Sequence, residues 1–239
     1  AWVRLKNHIT LDGEVLNEAL AVLGDVLNLA APGMLKSPIA PLPAAGGKQR
    51  IALCLGHARS GDEGVDSIDM TSEEEYNFKI IGRVGAALTA RGYNVKEVTQ
   101  YEGLGYTAAM KWLASYLLGN QVTAAVEFHF NASAGQARGH EVLHWNESKR
   151  GVTLAAALLA AFDQAFPEHP SRGLKPHASG DRGALFLSLT HCPAVIMEPF
   201  FGDNAEEWAL FSSEAGEERL VNAYVAGIAE WVESQNAIA

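Results

Sequence analysis

The sequence predicts an α/β fold: a single twisted, mostly parallel sheet with helices on both faces, plus an N-terminal helical appendage. Three observations predict it. From residue 49 onward, short apolar β-prone runs alternate with helical patterns, the order that builds parallel βαβ units. Three of these runs carry an ionisable group at their carboxyl ends: His57 in IALCLGH, His129 in TAAVEFHFNAS and Glu198 in PAVIME. The composition, 48% hydrophobic and 19% charged over 239 residues, suits one well-buried core with a small addition. The carboxyl ends of strands in an open parallel sheet face one crevice where ligands bind, so His57, His129 and Glu198 are expected to meet there.

The chain is expected to divide into residues 1–48, an N-terminal helix with a linker, and residues 49–239, the main α/β domain. Leu16, Leu20, Leu23 and Leu27 alternate spacings of four and three, an apolar helical stripe expected to dock on the rest of the chain. The following APGMLKSPIAPLPAAGGKQR, rich in Pro, Ala and Gly, reads as the linker.

Ile51 to Leu55 is the first strand, and GHARSGDEGVDSIDM is a loop. Thr71 or Ser72 can cap a helix running to Gly92, a glycine suited to the left-handed position that ends a helix. Tyr93 to Val98 is a strand, YTAAMKWLASYLLG a helix, and Val122 to His129 a central strand. Gly139 to Trp145 is expected to be a strand, Ser148 to Phe166 a helix, and Ser171 to Gly183 a long polar loop, the kind of segment that carries function. Ala184 to Leu189 and Ala194 to Met197 are read as the last strands, and Glu214 to Ser234 as the closing helix.

A net charge of -10 and the lack of clustered Lys and Arg argue against nucleic acid as the main partner. The longest apolar stretches are shorter than the ~20 residues that span a bilayer. The first residues, AWVRLKNHITLDGEV, carry charges where a signal peptide needs an apolar core. Cys54 and Cys192 lack CxxC spacing and read as buried free thiols.

Zinc accepts imidazole nitrogen and carboxylate oxygen, and a catalytic zinc site has three protein ligands and an open position. His57 and His129 offer two. The third is sought in Glu73, Glu74 and Glu75 at the start of the next helix, where acidic residues also serve simply to complement the helix dipole. A competing signature, HEVLH at His140 to His144, fits HExxH, which binds metal only on a helix. Its surroundings favour a strand, where the two imidazoles stand about 13 Å apart and cannot share an ion.

From Arg50 to about Val232 the chain resembles the zinc-dependent N-acetylmuramoyl-L-alanine amidases of bacterial cell-wall hydrolases and phage endolysins. Their strand followed by GHGG and a DxG element is matched by LGHARSGDEG, with Ala58 and Arg59 where glycines are common; their glutamate four residues before an asparagine is matched by Glu73 and Asn77. The pattern SxHxNA appears as EFHFNAS, with Glu127 in place of the serine, and the PAVLxE strand with GFxxN appears as PAVIMEPFFGDN.

The resemblance implies one Zn2+ held by His57, Glu73 and His129, with Glu198 as the catalytic carboxylate. It further implies hydrolysis of the amide between N-acetylmuramic acid and L-alanine in peptidoglycan, by an enzyme made in the cytoplasm and acting at the cell wall or periplasm. Lys175, His177 and Arg182 are candidates to meet stem-peptide carboxylates or to help position the scissile carbonyl, although a solvated polar loop also explains each of them. Asn131 and Asn204 match family asparagines, although turn formation explains them equally well. Two rival readings are a zinc carboxypeptidase-like amidohydrolase, whose HxxE motif is broken here by Ser60, and a non-catalytic wall-binding module, which would be expected to have lost a ligand or the base.

Overall fold

Strand β1 (Arg50–Leu55) is apolar and buried from Ile51 onward and lies inside a sheet, flanked by β2 (Asn94–Val98) on one side and β3 (Ala124–Phe128) on the other, both parallel to it. The computed structural model describes residues 49–237. The leucine stripe at residues 16–27, the linker and the expected boundary at residue 48 lie outside them. The sheet continues through β6 (Ala194–Glu198), β4 (His140–Trp145) and β5 (Ser171–His177), giving the order β2-β1-β3-β6-β4-β5. All neighbours are parallel except β4 and β6, which run antiparallel.

Helix α1 (Glu73–Ala90) starts at Ser72, whose side chain accepts the N–H of Glu75 at 3.1 Å. It ends as the sequence predicts: Gly92 has φ 84°, and Tyr93 donates back to the carbonyl of Leu88. Helix α2 (Tyr106–Gly119) joins β2 to β3, and α3 (Lys149–Ala165), capped by Ser148, joins β4 to β5. Helix α6 (Glu214–Asn236) closes the chain and packs on both α3 and α1.

The alternation of side chains along β3 decides which face does what. Phe128 points to one face and stacks on Tyr224 of α6 with ring centroids 4.2 Å apart. Each such fully buried aromatic contributes on the order of 2–3 kcal/mol to the core. Glu127 and His129 point to the other face, towards α2, where a cavity opens at the carboxyl ends of β1 and β3.

Two expectations are corrected and one helix is added. Ser171–His177 is the edge strand β5 and not part of a loop; it is largely solvent-facing and carries Pro176, which a central strand would not tolerate, so it lacks the apolar signature of a strand. Ala184–Leu189 is a short helix, α4, burying Ala184 and Leu187 one turn apart. A six-residue apolar run does not by itself distinguish helix from strand. A further helix, α5 (Ala205–Phe211), begins at Asn204, whose side chain accepts the N–H groups of Glu206 and Glu207, both at 3.1 Å. The turn propensity of that asparagine is thus spent on a helix cap.

Candidate active site

The β1 ladder runs one residue beyond the strand, with Gly56 donating to the carbonyl of Phe128 at 3.0 Å. His57 then turns out of the sheet in a left-handed backbone conformation, φ 59°, which non-glycine residues adopt at a cost. Its Nδ1 lies 2.8 Å from Asp62 Oδ1, and Asp62 is also bound by Arg59 at 2.8 Å. Burial works against ionisation of Asp62, but His57 and Arg59 outweigh it and hold the carboxyl below its usual range. With Nδ1–H donated to Asp62, the lone pair of His57 sits on Nε2, 3.3 Å from Glu73 Oε2.

Of the acidic triplet opening α1, Glu73 is buried, Glu74 half-buried and Glu75 exposed. The Glu73 carboxylate is oriented by two backbone donors, Phe130 N–H at 3.1 Å and Val65 N–H at 3.3 Å. Asn77 braces the same turn by donating to the Glu73 carbonyl at 3.0 Å. Burial favours the neutral acid, yet His129 and His57 prevail and lower its pKa.

His129 stands just past β3. Its Nδ1 lies 2.7 Å from Glu73 Oε1, and its Nε2 lies 3.3 Å from Glu127 Oε2 with no aligned hydrogen bond of its own. Burial opposes protonation, but Glu127 and Glu73 on either side hold the imidazole well above the usual histidine range. His57, Glu73 and His129 each offer a ligand atom within 4.8 Å of the others, and they are the one such cluster among the described residues.

The donor set fits a metal. Two imidazole nitrogens and a carboxylate oxygen converge on one spot, an electron-rich arrangement that calls for a cation between them. The backbone leaves room for this. A Cβ on Gly56 would lie 2.5 Å from Cε1 of His129, and one on Gly64 would lie 2.6 Å from Oε2 of Glu73. Only glycine at these two positions leaves room for both side chains.

Glu198, at the end of β6, lines the same cavity, and its Oε2 is buried without a hydrogen-bond partner. Burial pushes its pKa up to about 8, Glu73 and Glu141 add to this, and His129 and Arg182 oppose it. Glu141 is its cross-strand partner on β4 and is itself held by Asn131 at 2.9 Å and Arg172 at 2.8 Å. The cavity measures about 520 Å³; Tyr106, Met110, Leu143 and Ile196 give it an apolar wall.

The model of one family, N-acetylmuramoyl-L-alanine amidase, matches residues 51–230. The chain belongs to that family. The amidase is therefore a peptidoglycan hydrolase, cleaving the amide between N-acetylmuramic acid and L-alanine. Its fold is shared with solved structures of low sequence identity. CwlD amidase from Clostridioides difficile, in complex with the GerS lipoprotein, superposes with a TM-score of 0.69 at 20% identity over 78% of this chain and 100% of that one. The catalytic domain of CwlV from Bacillus (Paenibacillus) polymyxa var. colistinus gives 0.67 at 19% identity over 78% and 99%. AmiC2 of Nostoc punctiforme gives 0.66 at 18% over 78% and 98%. No curated protein matches the chain by sequence.

In this amidase the structure brings together all four residues singled out in the sequence, His57, Glu73, His129 and Glu198, around one cavity. His177 and Arg182 also line it, whereas Lys175 turns to the carbonyl of Arg172. The HEVLH histidines stand elsewhere: His140 is buried against Asp163 and His169, and His144 faces the carbonyl of Trp145. Sequence reasoning assigned no role to Asp62 or Glu141. Asp62 was within reach, as the Asp of the DxG element. Glu141 was hidden inside the misleading HExxH signature.

Proposed function

We propose that the amidase is a zinc hydrolase in which His57 Nε2, Glu73 and His129 Nδ1 hold one Zn2+ ion and Glu198 moves the proton. The reading rests chiefly on one observation: two imidazole nitrogens, His57 Nε2 and His129 Nδ1, face one buried carboxylate, and each ring has a second carboxylate beside its other nitrogen. Zinc in such a setting lowers the pKa of a bound water to roughly 7 and polarises the scissile carbonyl.

The chain's own residues supply the rest. Asp62 fixes the Nε2 lone pair of His57 by taking its Nδ1–H. Phe130 and Val65 hold the Glu73 carboxylate against rotation. Glu198, buried in the wall of the same cavity with its Oε2 unpartnered, is placed to accept a proton from water and return it to the leaving amine. The apolar wall excludes bulk water from one side of the scissile bond, while His177 and Arg182 at the rim present donors suited to stem-peptide carboxylates. We place the site of action at the cell wall, where the polymer is.

The test is metal analysis combined with hydrolysis of purified peptidoglycan. Protein dialysed against a chelator should lose activity, recover it with one equivalent of Zn2+, and fail to recover it when His57, Glu73 or His129 is replaced by Ala. Full activity of the chelator-treated protein would overturn the zinc reading while leaving the family assignment intact.

A further inference from the structure

We infer that Glu127 is a positioning residue: its carboxylate, 3.3 Å from Nε2 of His129, favours a proton on that nitrogen and so keeps Nδ1 turned towards the metal position, raising the affinity of the site for zinc. The inference rests on the zinc reading above and deepens it.

Glu127 sits two residues before His129 on β3, which places both side chains on the cavity face. It is only 5% exposed. A carboxylate that far from water is costly unless paired. Among the described residues no Lys or Arg forms an ion pair with it; its one charged partner is His129, Oε2 to Nε2 at 3.3 Å. Its other oxygen accepts the hydroxyl of Tyr101 at 3.3 Å. Tyr101 is in turn anchored beside the first ligand loop, donating its N–H to the carbonyl of Ala58 at 3.0 Å.

This makes a chain from the His57 loop through Tyr101 and Glu127 to His129. Glu127 lies on the opposite side of the imidazole from Glu73, so it acts through His129 and not on the metal. A carboxylate in that place selects the Nε2–H tautomer and makes Nδ1 a stronger donor. A serine, found here in the SxHxNA pattern, would be shorter and uncharged. Asp62 stands in the equivalent relation to His57, so each histidine of the site has its own outer carboxylate.

The experiment uses the full chain. Zinc affinity is measured by competition with a chromophoric chelator for the wild type, Glu127→Gln, Glu127→Ser and Glu127→Ala. The expected result is a loss of about 10- to 100-fold for Ser and Ala and a smaller loss for Gln, which keeps an acceptor but no charge. Affinities within twofold of wild type in all three variants overturn the inference alone; a wild type that takes up no zinc overturns the zinc reading with it. A second measurement needs no variant: nitrogen NMR of the zinc-loaded, 15N-histidine-labelled chain should show His129 protonated at Nε2. A proton on Nδ1 overturns the inference even if every variant misfolds.

Discussion

Nδ1 of His140 and Nδ1 of His169 lie 3.1 Å apart in the core, with Asp163 2.8 Å from the outer nitrogen of His140 and Glu207 2.6 Å from that of His169. Glu207 also accepts the N–H groups of Gly139 and Phe201, at 2.8 and 2.7 Å, so the pair ties the start of β4 to the segment following β6. Burial lowers the pKa of His140, and neighbouring His169 adds to this against the opposing pull of Asp163. A histidine whose folded pKa is depressed adds stability above its unfolded pKa, about 6.5, that is lost as pH falls through the folded value. The share of stability carried by His140 should therefore fall between pH 7 and pH 5, and it is read as the difference in urea midpoint between wild type and His140→Gln. That difference should shift in favour of the variant as pH drops from 7 to 5; a difference independent of pH would show that His140 is not responsible.

Glu198→Gln is expected to keep zinc but lose release of stem peptides from purified peptidoglycan, by about 100-fold or more for loss of a positioned acid-base group. It should also change stability in a direction that a surface carboxylate would not. The folded pKa near 8 lies above the ordinary carboxyl value, so folding favours the protonated form and stability falls as pH rises from about 4.5 to 8. In chelator-treated protein, Glu198→Gln should raise the melting temperature at pH 8 by several degrees and change it little at pH 4. Equal effects at both pH values would contradict the assignment.

Gly56→Ala tests the packing beneath the ligands. The added methyl meets the His129 ring and also the carbonyl of Phe128 at 2.6 Å. A cost of about 1–3 kcal/mol is expected from overpacking. Zinc affinity and activity should fall while the far-ultraviolet circular dichroism is retained. Wild-type zinc affinity in the variant would mean that the ring and strand end relax at no cost to the site.

The three proposed ligands and the proposed catalytic carboxylate lie between residues 57 and 198, and the family match begins at residue 51. A chain of residues 49–239 is thus expected to hydrolyse peptidoglycan at a rate within about threefold of the full chain. A gain or loss well beyond that, measured by dye release from labelled peptidoglycan, would reveal a regulatory part for the leucine-striped segment at residues 16–27.

The apolar strands were legible because burial on both faces forces near-continuous hydrophobic runs, as in Ile51–Leu55 and Ala194–Met197. Helix α1 was legible through its ends, Ser72 and Gly92, where backbone geometry demands particular residues. The antiparallel placing of β4 leaves no such mark, since a strand reads the same in either direction. Strand β5 was lost because an exposed edge has no apolar face to show, and α4 because six residues are too few to reveal a period. Glu73 stood out from Glu74 and Glu75 only through the family spacing to Asn77; in the structure burial separates the three. The carboxylates behind the histidines were legible only in part: Glu127 shares a face of β3 with His129 and Asp62 belongs to the DxG element, but which ring nitrogen each one meets is set by the turn of the β1 loop and the end of β3.

The parallel ladders joining β1, β3 and β6 have a temporal consequence. His57, His129 and Glu198 become neighbours only after strands separated by about seventy residues each have paired, and such long-range parallel pairings are the slow steps of folding. During synthesis, no catalytic constellation exists until residues beyond 198 have left the ribosome. A half-made chain is therefore harmless to peptidoglycan, and recovery of hydrolysis after dilution from urea would clock the final docking of β6 rather than the first collapse of the chain.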